Sequence, residues 1–290
     1  MVRQLLERRF PLDLTPSIDG IWALYNEAKA AHWNPARDID WSHFAPGSAS
    51  AAARASAAVI WSHRVWLGYG HLTATPALLV RFCLEQRREA DPKYFLSVRG
   101  TEEARHVDAA LRYARLLGEY LAAPEDPAYA KLFERAGYVS ALDADLPLEA
   151  YLAADVALRL SIELAQLEAA LEHAATEPVA RAVLARLAAD KRRHAEFGWL
   201  YLQARSGRIE ASAIAAAGER IDRLLADEAA GLTVPQIARG PIAEQAARAA
   251  GAGLGVLGRD AAVVVLGDSV EAARARLAPF GIRFGARDFG

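Results

Sequence analysis

The sequence predicts an all-α protein built as a bundle of long helices. Alanine, leucine, arginine and glutamate dominate its 290 residues, and alanine and leucine are the best helix formers. Strand-like alternation of polar and apolar residues is rare, and proline beside asparagine, aspartate or glycine separates long helical stretches. Hydrophobic residues make up 53% of the chain, enough for a sizeable core in one or two domains.

Proline-containing breaks set the expected helix boundaries. Asn34-Pro35 ends the first helix, Pro76 interrupts the second, and Asp91-Pro92 begins the third. The predicted helices cover residues 17–32, 48–72 with a continuation past the proline to 89, 91–122, 127–140, 148–174 and 178–205, followed by weaker helices at 210–228, 241–250 and 268–279. We therefore expect a helical bundle with its N-terminal helix over residues 1–205, and a helical extension over 206–290 packed on it.

Composition excludes several classes of protein. The formal net charge is -2, so no global positive field favours nucleic acid. Cys83 is the only cysteine, which rules out a disulfide within the chain and a cysteine-rich metal site. No apolar run approaches the roughly 18 residues of a membrane span, and the N-terminus lacks a signal-peptide pattern. A cytoplasmic protein without a membrane partner is expected.

Two short segments on two different predicted helices repeat one pattern. Residues 102–107 read Glu-Glu-Ala-Arg-His-Val, and residues 190–195 read Asp-Lys-Arg-Arg-His-Ala. Each segment runs acid, variable, variable, arginine, histidine, small apolar residue. The two copies lie 88 residues apart in a chain with seven histidines, so the repeat is unusual and predicts a shared chemical role.

The spacing within the first segment suits a metal ligand pair. Glu103 and His106 lie three residues apart, which puts them on one face of a helix. A di-iron helical bundle takes a Glu-x-x-His pair from each of two helices and one glutamate from each of two others. Glu163, on the helix before the second segment and 31 residues ahead of His194, would be the lone carboxylate of that half.

These segments resemble the Asp-Glu-x-Arg-His motif of the ferritin-like di-iron oxidases and oxygenases. That group includes the aminobenzoate N-oxygenases and the small subunits of ribonucleotide reductase. Residues 27–41, with His32, Trp33, Asp40 and Trp41, resemble the lead-in to the first bundle helix of those proteins. The resemblance covers roughly residues 20–205 and implies a ferritin-like four-helix bundle with additional N- and C-terminal helices.

The resemblance also implies roles for individual residues. It makes four residues metal ligands: Glu103, His106, Glu163 and His194. It makes Glu102 and Asp190 acids that orient the histidines of neighbouring helices, with Arg105 and Arg193 balancing their charge.

Two ligand positions depart from the family pattern. The first bundle helix should carry a carboxylate about 30 residues before Glu103, but the residue at that distance is His71. The glutamate expected three residues before His194 is Lys191. A lysine ammonium about 4 Å from a divalent ion is repelled by roughly 8 kcal/mol at an effective dielectric constant of 20. A complete two-metal site is therefore disfavoured unless Lys191 loses its proton or swings out.

Three outcomes stay open from the sequence. A single metal ion is held by His71, Glu103 and His106, with or without Glu163. No metal binds, and Lys191 pairs with Glu103 or Glu163 in its place. Asp190 replaces the missing ligand, because it lies four residues before His194.

The leading functional hypothesis is an O2-dependent non-haem iron oxidoreductase that oxidises a small organic substrate in a biosynthetic reaction. The metal ligands would be Glu103, His106, Glu163, His194 and His71, with one or two iron ions, and Lys191 and His71 would act in catalysis. A homodimer is expected because it is common in this class, and an electron donor is a further candidate partner. The alternative is a metal-free protein in which Lys191 replaces metal, acting as a ligand-binding or partner subunit or by acid–base chemistry.

Overall fold

The computed structural model describes residues 14–86, 89–135 and 139–289. Within those residues the chain is helical, with an isolated β-bridge between Ala175 and Leu254 as its only strand-like pairing. The helices are α1 (Asp19–Ala30), α2 (Ala51–Glu85), α3 (Asp91–Leu117), α4 (Pro127–Arg135), α5 (Val139–Leu142), α6 (Leu148–Tyr151), α7 (Arg159–His173), α8 (Pro178–Ala204), α9 (Ala211–Ala229), α10 (Pro241–Ala249) and α11 (Arg259–Leu277). The predicted all-α fold is confirmed.

Four long helical segments form the central bundle. Helices α2 and α3 pack along each other, and α7 packs along α8. Short connections at 86–90 and 174–177 make each pair antiparallel. Contacts between α3 and α8 join the two pairs, and α1 covers both of these helices from outside. The two segments that carry the repeated motif are therefore neighbours in the middle of the bundle.

A π-helical segment, Leu152–Leu158, connects α6 to α7 without a break in the helical backbone. The sequence analysis did not predict this segment, because its residues are ordinary helix formers. Gly198 of α8 packs against it so closely that a Cβ at that position would lie 2.7 Å from the Ala157 nitrogen. The close approach brings α8 onto the stretch that leads directly into α7, which carries Glu163.

Three predicted boundaries are wrong by about five residues or more. Helix α3 ends at Leu117 rather than at residue 122. Helix α2 continues through Pro76 to Glu85, because its packing along α3 outweighs the one hydrogen bond that the proline removes. Helix α11 begins at Arg259 rather than at residue 268, since Gly267 lies in open space and costs only about 1 kcal/mol there. Parts of two predicted helices, residues 87–88 and 136–138, lie outside the described residues.

The C-terminal helices pack against different elements of the bundle. Helix α10 lies against α2, α11 lies against α7, and α9 lies against α6 and the π-helical segment. Where a domain boundary falls, at residue 205 or elsewhere, stays a prediction. Within the described residues no helix is both long and apolar enough to cross a membrane.

Candidate metal centre

Six side chains from the four bundle helices converge in the core. Helix α2 supplies His71, α3 supplies Glu103 and His106, α7 supplies Glu163, and α8 supplies Lys191 and His194. All six residues are buried. The sequence analysis singled out each of them, and the structure brings all of them into one connected set of contacts.

Lys191 lies at the middle of this set. Its Nζ atom is 3.1 Å from Glu163 Oε2 and 3.3 Å from Glu103 Oε2, and the residue is only 4% exposed. The ammonium group therefore points inward and joins the two carboxylates that the sequence analysis assigned to metal. Burial favours the neutral form of Glu103, but the opposing effects, of which the positive charge of Lys191 is the largest, hold the pKa of Glu103 well below its ordinary value.

His71 pairs with Glu163 on the other side of the lysine. Its Nε2 atom is 2.5 Å from Glu163 Oε1. Burial raises the pKa of Glu163, but His71 and Lys191 outweigh that effect and lower it to about 2. Burial also lowers the pKa of His71, more than the carboxylate raises it. The pair is thus a neutral imidazole donating an N–H to an ionised carboxylate.

The two motif histidines are held by acids from the opposite helix. His106 Nε2 is 3.0 Å from Asp190 Oδ2, and His194 Nε2 is 2.8 Å from Glu102 Oε2. Because a carboxylate only accepts hydrogen bonds, each Nε2 carries a hydrogen, which leaves Nδ1 of a neutral ring as an acceptor. A metal-binding histidine is oriented in the same way.

Both Nδ1 atoms face the carboxylate of Glu103. The distance from His194 Nδ1 to Glu103 Oε1 is 3.1 Å, and that from His106 Nδ1 to Glu103 Oε2 is 3.5 Å. Neither Nδ1 atom has a hydrogen-bond partner among the described residues. Two acceptors that face each other repel unless a positive charge lies between them. The geometry therefore calls for a proton or a metal ion at this place.

An arginine from α8 ties the two acids together. Arg193 Nη2 donates to both Glu102 and Asp190, and the Trp33 indole donates to Asp190 Oδ2 over 2.9 Å. The expectation that Arg105 would balance these acids in the same way is wrong. Arg105 is half-buried, and its Nη2 contacts His32 Nδ1 instead of either acid.

Arg99 is a charged neighbour that the sequence analysis missed. It is buried, and its Nε atom lies 3.5 Å from Glu103 Oε1. The spacing of four residues on α3 was the available signal. The buried network thus contains four carboxylates and three cations, namely Glu102, Glu103, Glu163 and Asp190 with Arg99, Lys191 and Arg193.

The comparisons with known proteins identify the architecture. No family model matches the chain, and no curated protein does. Among solved structures it is similar to an R2-like ligand-binding oxidase with an aerobically reconstituted Mn/Fe cofactor, with 16% identity and a TM-score of 0.66 over 89% of this chain and 92% of that one. An R2-like ligand-binding oxidase with an aerobically reconstituted metal cofactor after photoconversion gives 17% identity and a TM-score of 0.65, over 88% of this chain and 92% of that one.

The chain has the fold of the R2-like ligand-binding oxidases. The predicted ferritin-like bundle is confirmed by this likeness. At such low identity the likeness establishes the fold alone, so the chemistry of the centre depends on this chain's own residues.

Those residues fit one metal ion better than two. Within the described part of the chain, no three histidine, cysteine or acidic side chains already surround a common metal position. Lys191 lies between Glu103 and Glu163 and separates them. The facing Nδ1 atoms of His106 and His194, with Glu103, form a set whose present contacts a cation would improve.

A cavity opens beside the centre. His71, Glu163 and Lys191 form part of its wall. The volume of the cavity that the centres of water-sized molecules can reach is about 70 Å³. That is several times the volume one water requires. The sequence analysis missed its other polar residues, because they share no spacing with the motif: His63, Arg64, Gln166, Thr233 and Gln236.

Proposed function

We propose that this protein is a non-haem iron oxidoreductase with a single metal ion, which uses O2 to oxidise a small organic ligand bound in the adjoining cavity. Glu103, His106 and His194 would hold the ion. The observation that carries the proposal is the pair of buried Nδ1 atoms that face Glu103 without hydrogen-bond partners.

The donor set supports this choice of chemistry. Two histidines and one carboxylate with open positions are the ligands of many non-haem Fe(II) oxygenases. Iron held in this way supplies one-electron and O2 chemistry when it is bound. The hydrogen bonds from Nε2 to Asp190 and Glu102 fix the ring orientation of both histidines beforehand.

The other residues of the centre act on charge and protons. Lys191 neutralises Glu163 and shares the charge of Glu103, so it would take the place of a second ion. His71 donates its Nε2 hydrogen to Glu163 and lines the cavity, and as a neutral imidazole it would accept a proton or a hydrogen bond from a bound ligand through Nδ1. Apolar residues of the wall, including Leu67, Leu167 and Leu257, limit the entry of water.

A metal-free protein is the second candidate, and one observation favours it. Burial disfavours the charged form of His106, but the neighbouring carboxylates of Asp190 and Glu103 outweigh it and raise the pKa of this imidazole. A protonated His106 would bring the buried network of four carboxylates and three cations to neutrality. The centre would then bind its ligand or run acid–base chemistry with Lys191.

Metal loading separates the two candidates. Protein stripped with a chelator and loaded anaerobically with Fe(II) should retain about one ion per chain, because a set of two histidines and one carboxylate is present. His106→Gln and His194→Gln should each lose most of this iron, whereas His43→Gln, which changes an exposed histidine, should not. After air is admitted, wild type and His43→Gln should consume O2, and His106→Gln and His194→Gln should not.

Wild-type protein that retains no iron above the level of the two histidine variants would overturn the metal proposal and leave the metal-free candidate. A homodimer, an electron donor and a cytoplasmic location stay predictions, as does a biosynthetic role.

A further inference from the structure

Glu228 is a buried carboxylic acid behind one residue of the cavity wall. It lies on α9 and is 0% exposed, and Thr233, five residues further along the chain, lines the cavity. The end of α9 sets this placement. The amide of Gly231 donates to the Glu228 carbonyl and that of Leu232 to the Asp227 carbonyl, with Gly231 at a φ of 90°. The glycine turns the chain back, so Thr233 returns to the side chain of Glu228.

Thr233 bonds to both oxygens of the Glu228 carboxylate. Its backbone amide donates to Oε2 over 3.1 Å, and its hydroxyl group donates to Oε1 over 2.9 Å. An amide N–H can only donate, whereas a hydroxyl group can donate or accept. When Glu228 carries a proton on Oε1, its O–H therefore donates to Thr233 Oγ1, and the hydroxyl hydrogen of Thr233 is released for another acceptor. Because Thr233 lines the cavity, that acceptor can be a molecule bound there.

Glu228 changes its protonation state near neutral pH. Burial raises its pKa to about 7, more than the positive charge of Arg159 and the hydrogen bonds from Thr233 lower it, and the negative charge of Glu163 adds to the rise. At pH 7 the acid is therefore present in both forms, as a group that gives and takes protons requires.

Three neighbouring titratable groups differ from Glu228 in this respect. Glu163 has a pKa of about 2, and burial lowers the pKa of His63 to about 4, so the first is ionised and the second is neutral at pH 7. Burial and the negative charge of Glu228 raise the pKa of Tyr129, so its phenol keeps its proton. Of these four groups, Glu228 is the one that can release and regain a proton at neutral pH.

We propose that Glu228 and Thr233 form a proton relay into the cavity, in which Thr233 touches the bound molecule and Glu228 acts through Thr233. In the forward step the Oε1–H bond of Glu228 breaks and a new O–H bond forms at Thr233 Oγ1. The original hydroxyl hydrogen of Thr233 passes as a proton to a basic oxygen or nitrogen atom in the cavity. Glu228 gains one negative charge, the acceptor gains one positive charge, and no electron is transferred. The reverse step returns the proton to Glu228.

The relay and His71 would have opposite roles. His71 is a neutral imidazole that would accept a proton, whereas Thr233 would deliver one. That the delivered proton is used in the reduction of O2 rests on the proposed function, because that reduction consumes protons. The transfer between Glu228 and the cavity does not rest on it, since neither Glu228 nor Thr233 is a candidate metal ligand.

Infrared spectroscopy of metal-stripped protein tests the relay without any activity. A protonated carboxyl group has a C=O stretching band that a carboxylate lacks. Wild type should lose one such band as pH rises through about 7, and Glu228→Gln should lack that band. Glu219→Gln, which changes an exposed glutamate on the same helix, is the matched control and should keep it. No such band in wild type between about pH 5 and pH 8 would overturn the proposal.

Two variants of Thr233 test the hydrogen bond through which the proton moves. Thr233→Ser keeps the hydroxyl group and should keep the position of the band. Thr233→Val removes the acceptor of the carboxyl O–H, so the band should move to higher frequency. It also removes a donor to the carboxylate, so the midpoint should move to higher pH. Thr73→Val, which removes a hydroxyl group bonded to the Tyr69 carbonyl, is the control. A band that Thr233→Val leaves unchanged would overturn the relay.

The pH profile of iron-loaded protein gives the second test. O2 consumption by wild type should fall as pH rises through about 7, because Glu228 then loses the proton that it would deliver. At equal iron content, Glu228→Gln and Thr233→Val should consume O2 about a hundredfold or more slowly and should lack this fall. Thr233→Ser and Glu219→Gln should behave like wild type.

The two tests separate the relay from the proposed function. The expected infrared behaviour without O2 consumption by wild type would overturn the proposed function alone. O2 consumption that is as fast in Glu228→Gln and Thr233→Val as in wild type would overturn the relay alone. If Glu228→Gln does not fold, the titration of the wild-type band and the two Thr233 variants still decide the proposal.

Discussion

The repeated segments on α3 and α8 are alike in the contacts of their first acid and their histidine, which we call the outer positions. Glu102 holds the histidine of α8, and Asp190 holds the histidine of α3, each through Nε2. The exchange is reciprocal, so each helix orients the histidine of the other, with its Nδ1 atom towards Glu103. This outer arrangement is the same on both helices although their acids differ in length.

The inner positions are not alike. The residue three before the histidine is Glu103 on α3 and Lys191 on α8, and the two form an ion pair over 3.3 Å. The arginines differ as well, since Arg193 is buried on both acids and Arg105 contacts His32 near the surface. The comparison shows that the orientation of the histidines and the charge at the centre are set by separate residues. A change at the inner position can therefore alter the charge of the centre while the fold and the histidine geometry persist.

The two arginines should respond very differently to removal. Arg193→Leu leaves Glu102 and Asp190 buried without their shared cation, and should lower the free energy of unfolding by about 3–5 kcal/mol. Arg105→Leu should change it by less than about 0.5 kcal/mol, because its contact is near the surface. Urea unfolding followed by circular dichroism measures both. Equal losses in the two variants would contradict the asymmetry between α3 and α8.

Glu228 offers a contrast with the paired carboxylates of the centre. It is fully buried near the cavity, where Thr233 donates to it from both its amide and its hydroxyl group. Burial raises its pKa to about 7, more than Arg159 and Thr233 lower it, whereas the paired Glu163 has a pKa of about 2.

A carboxyl group whose pKa is raised on folding binds its proton more tightly in the folded state. Stability should therefore fall by about 3 kcal/mol as pH rises from about 4.5 to 7, and then level off. Glu228→Gln should remove this slope while adding a constant offset for one lost acceptor. The check is the difference in unfolding free energy between wild type and variant at pH 5, 6, 7 and 8. A difference that does not change with pH would show that Glu228 is ionised throughout.

Trp33 marks a smaller asymmetry between the two acids, because its indole donates to Asp190 and no indole of the described residues donates to Glu102. Trp33→Phe keeps the aromatic packing but removes this donor, so it should cost about 1–2 kcal/mol of stability. Trp22→Phe, which changes an indole packed on Tyr25 and Tyr94 at the surface, is the control. A loss in Trp33→Phe no greater than in the control would mean that the hydrogen bond contributes nothing.

The motif spacing explains why so much of the centre was predictable. Once Glu103-x-x-His106 and its partner segment are placed on adjacent helices, the convergence of Glu163, His194 and Lys191 follows from helix geometry. Arg64 and Gln236 were not predictable, because they come from different parts of the chain and share no periodic pattern with the motif. The same holds for the π-helical segment and the early start of α11, which tertiary packing decides rather than local sequence.

The pairing of His71 also depended on tertiary structure. Sequence distance placed it at the missing carboxylate position and grouped it with Glu103 and His106. The structure instead places its Nε2 atom on Glu163, across Lys191 from Glu103. Spacing along one helix fixes which face a residue lies on, but not which facing residue it contacts.

The central claim is that Lys191 takes the place of a second metal ion. The measurement is iron per chain after identical anaerobic loading of wild type, Lys191→Glu and Lys191→Met. Lys191→Glu restores a Glu-x-x-His pair on α8 and adds two units of negative charge. Its iron content should therefore be about two ions per chain, compared with about one in wild type. Lys191→Met removes the ammonium without adding a ligand and should stay near one. No increase in Lys191→Glu, with its fold intact by circular dichroism, would contradict the account.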